Sequence, residues 1–132
     1  MDSMFYDCNN LISLNLSNFD TSSVTTMYFM FYNCNNLISL DLSNFDTSSV
    51  TKTAYMFYNC SNLILLDISN FNISSVKTMD QMLWGCKKLI SLDLSSFYTT
   101  LKPSIYNMLY GCNENLVICL NSDQSNNFYS KF

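Results

Sequence analysis

Cys8, Cys34, Cys60, Cys86 and Cys112 stand 26 residues apart. Thiols in such numbers invite zinc binding, disulfides or nucleophilic chemistry. The spacing argues against these. No Cys-x-x-Cys pair exists, and ligands offered one per repeat would lie in a line where a tetrahedral site needs them to converge. A buried cysteine behaves as a small hydrophobe, so Cys34, Cys60 and Cys86 read as core residues. Cys119 falls outside the column, either exposed or paired with Cys112.

A second chemistry-bearing column is acidic. Asp41, Asp67 and Asp93 recur at the same period, flanked by Ser39, Ser43, Ser69, Ser91 and Ser95. Carboxylates stacked ~5 Å apart repel by ~0.8 kcal/mol in water, and by more near a protein surface. Such a ladder needs solvent and hydrogen bonds, a polar or cationic ligand, or calcium. A straight column gives calcium few of its six to eight oxygens. General acid and base work is a poorer fit, because nothing distinguishes one Asp from the next. The third column is aromatic: Tyr32, Tyr58, Trp84 and Tyr110. Aromatic rings are favoured where proteins meet partners, yet stacking on the equivalent ring one repeat away explains them equally well.

Composition narrows the choice. Six basic residues stand against ten acidic ones, all six basic residues are Lys, and there is no His. The usual phosphate-gripping arginines are absent, which disfavours nucleic acid. The commonest general base and metal ligand is absent too. The expectation is a non-enzymatic chain with no cofactor and no metal. No apolar run approaches the ~18 residues of a membrane span.

The elements that must carry these columns follow from the repeat itself. Phe19, Phe45, Phe71 and Phe97 keep the 26-residue period, as do Met30, Met56 and Met82. All of these are expected in the core. Leu37, Leu40, Leu42 and Phe45 show an L-x-x-L-x-L spacing, and the alternation over Leu40, Asp41, Leu42 and Ser43 predicts a short strand with leucines inward. Val24, Met27, Met30, Phe31 and Cys34 fall at helical spacing and predict a short helix, with Asp20, Ser22 and Ser23 as caps. Neither half buries its apolar side alone, so successive repeats must stack. The predicted fold is an α/β repeat: a right-handed leucine-rich-repeat solenoid of five turns, with short parallel strands on one face and short helices on the other.

The run Met30-Phe31-Tyr32-Asn33-Cys34, then Leu37, Leu40-Asp41-Leu42-Ser43 and Phe45-Asp46-Thr47-Ser48-Ser49-Val50, resembles the BspA-type leucine-rich repeat of bacterial surface proteins. The resemblance covers roughly residues 1 to 120. It implies a secreted or cell-surface protein that adheres to host or matrix proteins. No residue-level binding motif comes with it.

The expected organisation is a repeat array over 1–120 that starts inside a repeat, as a fragment of a longer array, followed by a polar tail or crude cap over 121–132. The expected function is a cell-surface protein-interaction or adhesion module, with a protein or glycoprotein partner. The alternative is a structural spacer in a larger surface protein. The near-uniform Ser-Asp-Ser sheet positions lean toward the spacer. A face of five strands spans only about 350 Å², less than the roughly 800 Å² per partner of a stable interface. Affinity therefore calls for the flank aromatics or a longer array. The first repeat, with Met1, Met4 and Phe5, is an expected point of self-association.

Overall fold

The computed structural model describes residues 1–121. The expected tail over 121–132 lies outside the described residues apart from Asn121. The chain winds in rungs of 26 residues, so that Thr26 bridges Lys52, Lys52 bridges Thr78, and Thr78 bridges Ser104, all in parallel. Four strands form elsewhere on the rungs: β1 (Ser39–Asp41), β2 (Leu65–Asp67), β3 (Ser91–Asp93) and β4 (Val117–Cys119). β1 pairs with β2 and β3 with β4, each in parallel and each one period out: Leu40 faces Leu66, and Leu92 faces Ile118.

The expected fold is corrected on two counts. There is no α-helix among the described residues, and the strands make two separate two-stranded sheets where a five-stranded face was expected. A leucine-rich-repeat solenoid with helices on one side does not describe this chain.

Hydrogen bonding gives the physical reason. Across the segment predicted as helix, the amides of Met27, Phe29, Phe31 and Asn33 donate to the carbonyls of Lys52, Ala54, Met56 and Tyr58, all on the next rung. Of the other amides, Tyr28 donates to the Asp2 carboxylate, while Met30 donates to Met27, Tyr32 to Phe29 and Cys34 to Phe31. A helix would spend every amide on itself and leave this side of the rungs unconnected. Here alternate amides sew one rung to the next. Those of Met30, Tyr32 and Cys34 close four-residue turns.

That alternation requires left-handed backbone, which a helix cannot hold. Phe29 (φ 57°) and Asn33 (φ 61°) take it, as do Tyr55 and Asn59 one rung later, and Gln81 and Gly85 after those. Asn and Gly tolerate this region, while a bulky aromatic there is uncommon. The supposed caps also have another role. Asp20 accepts the Ser22 amide at 3.0 Å, which makes a local side-chain turn with no helix after it.

The core runs through the middle of the stack. Met30, Met56, Met82, Phe45, Phe71, Phe97, Cys34, Cys60 and Cys86 are all buried, while Phe19 is half-buried against the same cluster. Each large apolar side chain removed from water contributes about 1.5–3 kcal/mol. The buried polar groups Thr21 and Thr47 are bonded across rungs. The Thr47 hydroxyl donates to the Asn72 carbonyl at 3.1 Å and accepts the Asn72 amide at 2.7 Å. No helix of the described residues is long and apolar enough to cross a membrane.

Candidate functional site

The acidic ladder stands on the strands. Asp41 and Asp67 are the exposed last residues of β1 and β2, and Asp93 ends β3 half-exposed. Each carboxylate is occupied by its own turn. Asp41 accepts the Ser43 amide at 2.9 Å, Asp67 accepts the Ser69 amide at 3.0 Å and its hydroxyl at 2.6 Å, and Asp93 accepts the Ser95 amide at 2.8 Å. The hydroxyl first and the amide second hold Asp41 and Asp93 below the usual carboxylate range. Like-charge repulsion along the ladder is thus offset locally. Ser39 and Ser91 are exposed on the same face, but between them stands Leu65, which is also exposed. The polar face is therefore interrupted at its centre. No group of three metal-type ligands converges among the described residues.

The cysteine column is made of free thiols. Each of four donates to a carbonyl on the rung below: Cys34 to Phe5, Cys60 to Phe31, Cys86 to Phe57 and Cys112 to Leu83, at 3.1–3.3 Å. Burial pushes Cys34 and Cys112 up to about 11, and Cys60 and Cys86 higher still. A protonated, occupied thiol is a poor nucleophile and a poor ligand. Cys119 is exposed at the end of β4.

The aromatic flank is a continuous stack. Tyr6, Tyr32, Tyr58 and Trp84 lie with ring centroids 4.8, 4.7 and 4.6 Å apart and planes within 7°, and Tyr110 follows at 6.1 Å. Tyr32, Tyr58 and Trp84 are half-exposed, whereas Tyr6 and Tyr110 are exposed. Because the faces cover one another, the inner rings show solvent only their edges and hydroxyls. The stack continues sideways through rings absent from the sequence-derived site. Phe29 meets Tyr32 edge-on at 5.2 Å and stacks with Tyr55 at 4.9 Å, and Tyr28 meets Tyr55 edge-on at 5.6 Å. Phe29 and Tyr55 hold these places with left-handed backbone. The same position is left-handed on every rung, at Ser3, Gln81 and Asn107 as well, so this backbone belongs to the rung geometry.

Beside those rings lies a groove of about 460 Å³, lined by Asp2, Tyr28, Lys52, Ala54, Tyr55 and Asp80 together with four threonines. Two small side chains of the third rung lie at this place. Ala54 occupies the column of Tyr28, Asp80 and Tyr106, and its neighbour Thr53 occupies the column of Met27 and Met79. Thr53 is buried and its hydroxyl has no hydrogen-bond partner among the described residues. Burial, then Tyr55, Asp80 and Asp2, push the Tyr28 phenol up from its ordinary value. Sequence reasoning passed over this place, although the break in the column was legible.

No curated protein matches the chain, and no solved structure matches it. A family model described as "Mycoplasma protein of unknown function, DUF285" matches residues 1–119. The resemblance to the BspA-type leucine-rich repeat is therefore set aside, and the leucine-rich-repeat description falls with it. The matched region runs from the first rung through β4, and the chain belongs to the DUF285 family.

Proposed function

We propose that the chain is a protein-binding module whose contact surface is the aromatic flank, with no catalytic role. The observation that carries this reading is the unbroken run of solvent-edged rings from Tyr6 to Tyr110, widened by Tyr28, Phe29 and Tyr55. Rigid rings with few torsions bury much area at little entropic cost, and here stacking has already ordered them. A cell-surface setting and an adhesive role were implied by the set-aside resemblance alone, so the proposal stands on the rings.

The competing reading is a spacer, and one observation favours it: the strand-side acids are satisfied by their own serines and need no ligand. An arrayed set of surface proteins, probed with the wild-type chain and with the Tyr32→Ser, Tyr58→Ser, Trp84→Ser triple variant, separates the two. The binding reading expects at least one partner held by wild type and released by the variant. Partners held equally by wild type and variant would overturn the flank as the contact surface, and no partner at all would leave the spacer.

A further inference from the structure

We propose that the groove at Ala54 is a carbohydrate site that takes one pyranose unit of a neutral glycan. The column at position 54 lacks a bulky side chain. Rungs stacked in parallel repeat about every 4.8 Å, and the column through position 54 carries Tyr28 on the rung below and Asp80 on the rung above. Ala54 supplies only a methyl group between them and is itself buried. Neighbouring side chains close over that methyl, and the groove lies outside it, bounded by Tyr28, Tyr55 and Asp80. Its volume falls within the roughly 300–1,000 Å³ of small-molecule sites.

The walls specify the guest. Tyr28 and Tyr55 meet edge to face at 85°, and Phe29 covers one face of Tyr55, so the groove is bounded by the ring surface those contacts leave free. Such surfaces accept the C–H face of a sugar ring. Around them stand Asp80 and Asp2, Lys52, and the hydroxyl-bearing Thr25, Thr26, Thr51 and Thr78. The two acids are held in fixed poses. Asp80 Oδ1 accepts the Ser104 hydroxyl and the Tyr106 amide, and Asp2 Oδ1 accepts the Thr26 hydroxyl and the Tyr28 amide. In both cases Oδ2 makes no hydrogen bond among the described residues and is left for a ligand. Lys52 is exposed and lines the same groove, to which it brings a cationic donor.

Charge then separates the ligand classes. An anion meets Asp2 and Asp80, and a cation meets Lys52. A neutral polyol suits both, because each hydroxyl donates to carboxylate and accepts from ammonium. A flat apolar group would use the rings but cover the carboxylates and the ammonium without offering them a hydrogen bond. This site does not rest on the flank being a protein-binding surface.

Saturation-transfer NMR on the full chain tests the proposal, with the methyl glycosides of glucose, galactose, mannose and N-acetylglucosamine as probes and choline and acetate as ionic comparisons. At least one glycoside should receive saturation, strongest on the protons of one ring face. Ala54→Tyr introduces the residue found at positions 28 and 106 of the same column and should abolish the transfer, with its melting temperature read alongside because Ala54 is buried. Should that variant melt early, Tyr28→Leu keeps the volume but removes the aromatic face, and should weaken binding about tenfold. Transfer that survives both substitutions, transfer to choline or acetate in place of the sugars, or no transfer to any glycoside at millimolar concentration would each overturn the proposal.

Discussion

Asn59 donates its side-chain amide to Oδ1 of Asn33 at 2.7 Å, and Asn33 donates in turn to Asp7 at 2.7 Å. The ladder stops at Gly85, the next residue in that column, where a Cβ would lie 3.4 Å from Asn59 Oδ1. Since Gly85 has φ +75°, Gly85→Ala should cost about 1–2 kcal/mol from the left-handed backbone alone. Gly85→Asn should cost less, because Asn tolerates that region and adds a rung to the amide ladder. Urea unfolding of the two variants checks the order. Equal losses would show that the ladder contributes nothing.

Phe71 is buried at 1% exposure in the phenylalanine column. Phe71→Ala should leave a cavity and cost ~3–5 kcal/mol, a large part of the 5–15 kcal/mol typical of a native domain. Thermal unfolding measures it, and an unchanged midpoint would place the ring outside the load of the core.

Thiol labelling of the native protein should proceed from outside inward. Cys119 is exposed, Cys8 and Cys112 are half-buried, and Cys34, Cys60 and Cys86 are buried. Mass spectrometry after brief exposure to a maleimide should find Cys119 modified first. Modification of Cys60 at the same rate, without unfolding, would contradict both its burial and its bond to Phe31.

Stability should fall at both ends of the pH scale. Asp20, Asp41, Asp46 and Asp93 have folded values held below 3.8 by serine hydroxyls and amides. Their contribution is present above that value and is lost as pH falls through the lowered folded ones. Cys34 and Cys112 are raised from 9.0 to about 11. The unfolded thiols ionise first, so stability is full below pH 9.0 and declines as pH rises toward about 11. Denaturant midpoints across pH give both limbs. Ser43→Ala with Ser95→Ala should flatten the acid limb and leave the alkaline one intact.

The period was plain in the sequence because side chains one rung apart touch, so Cys34 and Cys60 or Tyr32 and Tyr58 must match in kind. What the sequence concealed was the destination of the backbone amides. Met27, Met30, Phe31 and Cys34 have helical spacing, yet a run of tight turns buries the same set. Only the partner carbonyls 25 residues away distinguish the two. The warning lay in Asn33, Asn59, Gly85 and Gly111, all suited to left-handed backbone and all in one column. The aromatic flank was legible in part, as Tyr32, Tyr58, Trp84 and Tyr110. Phe29 and Tyr55 were not, since no propensity places bulky rings at positive φ. The place of the groove was marked by two substitutions, Thr53 and Ala54, that look unimportant until the columns around them acquire walls.

The alternation of amides also has a mechanical side. Bonds such as Phe31 to Met56 and Asn33 to Tyr58 run along the stacking direction, so tension applied to the two chain ends loads successive rungs in series. Such an assembly yields by peeling at its weakest edge, one layer after another, and resists far less than strands sheared side by side. Each event would release 26 residues, about 90 Å of extended chain. Under a pulling force the molecule should behave as a spring of discrete steps, giving length in equal increments while the layers behind the break stay closed.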